Sequence, residues 1–251
     1  MEDVELFLQK RGWLDEVSQL SVKMYLLKIQ YYIANELWSE AETTISEAKS
    51  VLSNDSLNHS YVKFSIDLLQ KEESLQYYLG KIESALETCT QAIDLCRLIN
   101  LNHKLVDMLI DRNIANRKLG NLNEALKDVK MAMQTIRQIG NLAPSKIGVI
   151  LFQYGQILRE AGNYDEAMKQ YLECQQYWAN NSKGDYRKMV TEMNMIYCIS
   201  QGSLNSKIYF PIAIADKINE ITDYFKDPSN EIRLSPVNRK NVMELSNLRF
   251  E

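Results

Sequence analysis

The sequence predicts an all-α protein built from a stack of antiparallel helix pairs. The 251 residues contain only 4 prolines and 9 glycines, the two residues that most disfavour a helix interior. No segment shows the two-residue alternation that is typical of a half-buried strand. A small residue recurs at a nearly constant interval, and internal repeats of roughly 20–50 residues are typical of solenoids.

The interval is set by four alanines, Ala41, Ala85, Ala125 and Ala167, which are 44, 40 and 42 residues apart. Four residues after each alanine comes a packing residue, and seven residues after it comes a second small residue. In a helix these three positions lie on one face. The packing residues are Ile45, Cys89, Val129 and Tyr171, and the second small residues are Ala48, Ala92, Ala132 and Cys174. Each copy therefore predicts a helix that a neighbouring helix can approach closely.

A turn is predicted before each of these helices. Gly80, Gly120 and Gly162 stand five residues before the alanines of the last three copies, and Glu36 takes that place in the first. Glycine readily adopts the positive φ that ends a helix. The pattern therefore predicts a helix, a tight turn and a second helix in each copy.

Residues 21–180 resemble four tetratricopeptide repeats, whose second helix carries small, aromatic and small residues at this spacing; the fullest match is Gly162–Tyr171. The usual repeat of that family is about 34 residues long, so the longer period here implies helices extended by about two turns per repeat. The resemblance implies a right-handed superhelical solenoid with a concave groove lined by the first helix of each pair. Similar long repeats occur in kinesin light chains, spindle-orientation adaptors and bacterial peptide-pheromone receptors.

In chain order, we predict an N-terminal helix or cap over residues 1–20, the four repeats over 21–180, a degenerate fifth repeat or cap over 181–226, and a C-terminal segment, a short helix or flexible, over 227–251. The fifth copy is degenerate because Lys207 stands where the small residue belongs. Atypical terminal repeats are expected as caps. The first helices of the four repeats are predicted to start near Val22, Ile66, Val106 and Gly148, with Pro144 well placed near the last of these starts.

Composition excludes several classes of function. The net charge of −4, with both signs interspersed, offers no basic surface for direct nucleic-acid binding. No apolar run approaches the roughly 20 residues that span a bilayer, and the acidic N-terminus lacks a signal-peptide pattern. We therefore expect a cytoplasmic protein. Its cysteines are expected to be small buried hydrophobes in a reducing compartment; they are Cys89, Cys96, Cys174 and Cys198.

No enzyme chemistry is predicted. The two histidines, His59 and His103, fall in predicted turns far apart in the sequence. Neither stands near a cysteine and a third orienting group, as a nucleophile–base pair requires. The cysteines lack metal-type Cys-x-x-Cys spacing, and no glycine-rich loop follows a strand. We expect no catalytic residues, no metal site and no cofactor.

The candidate binding residues lie on the predicted first helices. By the resemblance, recurring positions of these helices line the groove and take up a peptide or helix of another protein. Aromatic side chains would anchor the ligand, and basic ones would bind its charges. The candidates are Tyr77, Tyr78, Arg112, Asn116, Arg117, Phe152, Gln156 and Arg159.

Two of these candidates depart from the family pattern. Arg112 and Asn116 stand where the family has packing residues, so they are candidates to hold the carboxylate or backbone of a peptide. The alternative is that such polar residues are solvated or pair with one another, as the alternating charges of Lys28, Glu72 and Arg112 permit. The carboxylate clamp of chaperone-binding relatives is not matched, because acidic residues occupy some of its positions.

The leading hypothesis is a non-enzymatic scaffold that binds a partner peptide or helix in the concave groove. One alternative is the peptide-sensing domain of a bacterial signalling or transcription regulator, which changes its superhelical pitch when a short peptide binds. Residues 1–20 are too short for the output domain such receptors usually carry. Another alternative is a structural repeat block of a larger protein.

Overall fold

The computed structural model describes residues 13–53, 59–140, 144–178 and 186–201, together with residue 223. Within these ranges the regular structure is entirely α-helical, which confirms the predicted all-α fold. The helices are α1 (Trp13–Ala34), α2 (Trp38–Ser53), α3 (His59–Tyr78), α4 (Ile82–Leu98), α5 (Asn102–Lys118), α6 (Leu122–Ile139), α7 (Pro144–Glu160), α8 (Tyr164–Trp178) and α9 (Tyr186–Ser200).

The chain divides into two compact units, Met1–Asn121 and Leu122–Glu251. In the first unit each helix from α1 to α5 packs on the next, and α3 also contacts α1 and α5. In the second unit α6 packs on α7, and α8 packs on both α7 and α9. Contact between sequential neighbours is the pattern of stacked helix pairs. Along the chain, the helices that precede the predicted turns, here called first helices, are α1, α3, α5 and α7, and those that follow them, the second helices, are α2, α4, α6 and α8.

Every first helix ends in the same backbone turn. At Gly162, whose φ is 78°, the amide N–H donates to the Arg159 carbonyl at 3.0 Å, and the Asn163 N–H donates to the Leu158 carbonyl at 2.8 Å. These two bonds define a Schellman motif, which satisfies carbonyls at the end of a helix. Glu36 takes the same turn with a φ of 58° although it has a side chain. The predicted turns between first and second helices, called joints from here on, are therefore confirmed at Gly80, Gly120 and Gly162 and also at Glu36, which is not a glycine.

The three recurring positions of each second helix (the alanine, the packing residue and the second small residue), called the packing columns, lie on its buried face. All four alanines of the interval and all four second small residues are fully buried, and the packing residues between them are at most 5% exposed. The small side chains let adjacent helices approach, and the larger one between them fills the contact. All four cysteines are free and buried.

The first helices begin earlier than predicted. Their observed starts, Trp13, His59, Asn102 and Pro144, precede the predicted starts by four to nine residues. In α1 the reason is local: no glycine or proline interrupts residues 13–34, so one helix runs through the predicted boundary between a leading cap and the first repeat. Helix α7 begins at the proline that suits a first helical position.

Some sequence predictions lie outside the described residues. These are residues 1–12 of the predicted N-terminal cap, the predicted second helix of the degenerate repeat and the C-terminal segment. Helix α9 lies within the range predicted for that repeat, and its residues 189–196 are all buried.

Two glycines let α8 approach α7 closely. A Cβ atom at Gly155 would lie 2.6 Å from Cε1 of Tyr171, and one at Gly148 would also overlap Trp178. Both aromatic side chains are buried. Because the glycines stand seven residues apart, they open one face of α7 to two rings of α8.

Candidate peptide-binding surface

A network of polar side chains joins the first helices of the first unit. Lys104 Nζ on α5 lies 2.5 Å from Asp67 Oδ1 on α3 and donates to Gln70 Oε1 at 2.9 Å. Gln70 Nε2 in turn donates to Asp111 Oδ2 at 3.2 Å. On the other side of α3, Lys71 Nζ donates to Gln30 Oε1 of α1 at 3.2 Å. The first helices thus meet through charged and amide groups.

Glu73 lies within this network and is only 5% exposed. Burial, reinforced by the nearby Asp111 carboxylate, raises the pKa of Glu73 to about 8, and the hydrogen bond from Ser74 opposes that rise. The Ser74 hydroxyl donates to Glu73 Oε2 at 3.4 Å. At neutral pH the Glu73 carboxyl is therefore mostly protonated, and it can act as a neutral donor beside Asp111.

An aromatic cluster lies at the C-terminal end of α3. The Tyr78 ring stacks on Trp38 of α2, with ring centroids 6.0 Å apart and planes at 23°. Tyr77 meets Tyr78 edge-on at 6.2 Å. Tyr78 is nevertheless 56% exposed. It is an accessible ring supported by two others.

Arg117 of α5 belongs to the same neighbourhood. Burial raises the pKa of Tyr77, and the charge of Arg117 opposes that rise. Among the sequence candidates, Tyr77 therefore contacts Tyr78 and interacts electrostatically with Arg117. Trp38 was not among the predicted site residues, although its place directly after the turn at Glu36 could have indicated it.

The candidates that break the family pattern contact second helices. Arg112 Nη1 lies 3.4 Å from Thr90 Oγ1 of α4, and Asn116 is only 5% exposed. Glu72 Oε1 likewise pairs with Lys49 Nζ of α2 at 2.6 Å. Arg112 and Glu72 thus contact side chains of second helices, whereas the sequence suggested that they would be solvated or would pair with one another. Because Asn116 is buried, it does not belong to a surface that a ligand could reach from solvent.

The candidates of the second unit are held by its own packing. Phe152 lies between Tyr171 and Trp178, with 5.8 Å from its ring centroid to each, so this half-buried ring supports the core. Gln156 is half-buried. The Arg159 guanidinium lies 5.0 Å above the ring of Tyr197 on α9, an arrangement in which a cation is attracted to the π face.

The described side chains include histidine, cysteine and carboxylate groups. Among them, no group of three His, Cys, Asp or Glu residues is arranged to hold a metal ion. Burial raises the pKa of the Cys96 thiol to about 11 and of the Cys174 and Cys198 thiols to about 12, so these thiols are protonated at neutral pH. None of the helices in the described part is long and apolar enough to cross a membrane.

Comparison with known proteins agrees with this fold. Residues 149–177 match the family model of the tetratricopeptide repeat, within the copy that follows the predicted pattern most fully. BtubC (BKLC) from P. vanneervenii superposes with a TM-score of 0.66 at 11% identity, covering 97% of this chain and 88% of that one. A putative kinesin light chain from P. anserina with nearly identical TPR-like repeats gives 0.57 at 11% identity, covering 86% and 99%.

A Rap protein complexed with Competence and Sporulation Factor gives a TM-score of 0.65 at 13% identity, covering 90% of this chain and 63% of that chain. At these identities the likeness concerns the fold. No curated protein sequence matches the chain significantly.

Proposed function

We propose that this chain, which matches the tetratricopeptide-repeat model over residues 149–177, is a non-enzymatic cytoplasmic scaffold that binds a segment of another protein along its first helices. Stacked helical repeats present long continuous surfaces that suit extended or helical segments. The proposed surface lies in the first unit and comprises Tyr77, Tyr78, Arg117 and the supporting Trp38.

The observation that carries the proposal is the exposed Tyr78 ring, held between Trp38 and Tyr77. Tyrosine, tryptophan and arginine are the residues that most often dominate binding energy at protein interfaces. A ring that is already fixed in place loses little conformational entropy when a ligand covers it. The nearby Arg117 supplies a positive charge. The ligand we propose therefore places an apolar side chain on Tyr78 and an acidic group towards Arg117.

The polar network extends this surface along α3 and α5. The carboxylates and amides of Asp67, Gln70 and Asp111 stand on the α3–α5 contact and are half-buried. Groups of this kind can exchange hydrogen bonds with the main chain of a bound segment, which fixes its register. The aromatic cluster would then supply most of the affinity, and the network would supply orientation.

The test begins with selection of 12-residue peptides from a phage-displayed random library against the full chain, followed by calorimetric titration. We expect Tyr78→Ala to weaken binding by about tenfold or more, the usual effect at an interface hot spot. Leu98→Ala is the control, because Leu98 is an exposed apolar residue, 72% against 56%, on helix α4 and outside this surface. Binding that survives Tyr78→Ala, or that both changes weaken equally, would exclude this surface.

Phe152→Ala is not a useful probe of binding, since it removes a ring from between Tyr171 and Trp178. A loss of binding in that variant would report damaged packing as readily as a lost contact. Tyr78→Ala avoids this difficulty because most of the Tyr78 surface is already exposed.

The second candidate is a peptide sensor, favoured by the likeness to the Rap protein complexed with Competence and Sporulation Factor. A sensor must change conformation when its peptide binds, whereas a scaffold need not. Small-angle X-ray scattering of the full chain with and without a selected peptide separates the two. A change in the radius of gyration supports the sensor, and an unchanged value supports the scaffold.

A further inference from the structure

Helix α1 carries an apolar stripe on its exposed side. Leu20, Met24, Leu27 and Tyr31 are 53–68% exposed and are spaced by four, three and four residues, which places them along one face. The same helix buries Val22 and Ile29 on another face. A helix that is apolar on both sides is characteristic of one that is covered on both sides.

The second repeat shows which kind of helix packs on the equivalent positions of a first helix. Leu68 and Leu75 of α3 stand 44 residues after Met24 and Tyr31, at the equivalent positions of the next copy. Both are 2% exposed, because they belong to one buried cluster with residues of α2, namely Ala41, Ile45 and Ala48. The positions that α3 uses to pack on a helix with small residues are therefore open on α1.

The charge beside the stripe is reversed relative to α3. On α3, Glu72 pairs with Lys49, which directly follows Ala48 on α2. The residue of α1 equivalent to Glu72 is Lys28, and it is exposed. A helix that packs on α1 as α2 packs on α3 would therefore bring an acidic residue to the place of Lys49.

The same charges disfavour a second copy of α1 as the occupant. The exposed Lys23 and Lys28 flank the stripe on its two sides. If two α1 stripes packed against each other, these lysines would occupy the flanking positions that set partner choice in paired helices, where like charges repel. An acidic partner helix meets no such repulsion.

We propose that this face of α1 docks a helix of another protein with two small residues seven positions apart, an apolar residue between them and an acidic residue directly after the second. The site uses different side chains from the Tyr78 surface and does not depend on it. It would give the chain a second contact through which it joins a larger assembly.

The probes are two helical peptides with the sequence of Trp38–Ser53, one unchanged and one carrying Lys49→Glu. Both are stapled on the helix face opposite Ala41 and Ala48. Circular dichroism confirms equal helicity. In fluorescence-anisotropy titrations with the full chain, we expect the Lys49→Glu peptide to bind about fivefold tighter, and Lys28→Glu in the chain to reverse that preference. Leu27→Asp in the chain should abolish binding, whereas Tyr78→Ala should leave it unchanged.

Three results would overturn the proposal. One is the absence of binding by either peptide up to on the order of 1 mM. Another is equal binding of both peptides together with indifference to Lys28→Glu. The third is a dimer in sedimentation equilibrium that Leu27→Asp dissociates, which would assign the stripe to a second copy. Because Leu27 is 68% exposed, its substitution leaves the fold intact, and an unchanged far-UV spectrum verifies this.

Discussion

Replacing the buried Glu73 by glutamine should stabilise the protein, increasingly so as the pH rises. Glutamine keeps the shape of the side chain and its acceptor for the Ser74 hydroxyl but cannot ionise. The pKa of the Glu73 carboxyl is about 8 in the folded protein against an ordinary value of 4.5. Between these values the folded state holds a proton that the unfolded state releases, so wild-type stability falls as the pH rises through this window.

The size of the effect follows from the pKa difference. Each pKa unit corresponds to about 1.4 kcal/mol. Between pH 5 and pH 7 the wild type should therefore lose about 2–3 kcal/mol relative to Glu73→Gln. Below pH 4.5 the two proteins should depend on pH in the same way, because the carboxyl is then protonated in both states.

Urea denaturation followed by far-UV circular dichroism at pH 5 and pH 7 measures this difference in the free energy of unfolding. The exposed Glu87→Gln is the matched control, and it should change stability by less than about 0.5 kcal/mol at either pH. Carbon-13 NMR of labelled glutamate reports the Glu73 titration directly. A Glu73→Gln effect that is the same at both pH values, or that becomes destabilising at pH 7, would refute the assignment of a protonated buried carboxyl.

Three further predictions concern the joints, the glycine contacts and the thiols. Glu36→Gly should stabilise the protein by about 0.5–1 kcal/mol in urea denaturation, because it removes a side chain from a left-handed backbone conformation. Gly155→Ala should lower the free energy of unfolding by about 1–3 kcal/mol, because the added Cβ would lie 2.6 Å from a Tyr171 ring carbon. The native cysteines should react with Ellman's reagent at pH 8 about 100-fold more slowly than in urea, since all four are buried and therefore inaccessible to the reagent.

Each of these three predictions has a control variant or a result that would contradict it. Glu40→Gly, in the first turn of α2, should destabilise by about 0.5–1 kcal/mol, so stabilisation by both changes would contradict the joint argument. Combining Gly155→Ala with Tyr171→Leu should cost less than the sum of the two single changes, and strict additivity would mean that the two sites do not touch. Rapid reaction of the thiols in native buffer would contradict their burial.

The joints and the packing columns were predictable because both depend on local chemistry. A turn with a positive φ favours glycine, and a close contact between helices favours alanines at a fixed spacing, so both features can be recognised in the sequence. Glu36 was recognised only through its alignment with three glycines. The contact made by Gly155 could also have been found, since two glycines seven residues apart inside a helix indicate close approach.

The surface was less predictable because exposure depends on which helices lie next to a residue. Met24 and Leu68 occupy the same place in the repeat, yet one is exposed and the other is buried. Phe152 is a candidate ligand anchor by sequence, but in the structure its ring packs against the rings of Tyr171 and Trp178. Glu73 stands in a charged stretch of sequence, and nothing in that stretch distinguishes it from the adjacent Glu72, which forms an ion pair with Lys49.

The recurring turn at the end of each first helix has a consequence for how such a chain can lengthen or shorten. Gly80, Gly120 and Gly162 leave their helices with nearly the same φ, 74°, 77° and 78°. Each turn is closed by main-chain hydrogen bonds that depend on no particular side chain. If the segment between two equivalent turns were deleted, the helix before the first turn would be joined to the helix after the second turn through a turn of nearly the same backbone conformation. Copies can be lost or duplicated at these points without redesign of the junction, and helix-packing complementarity alone decides which copies can become neighbours.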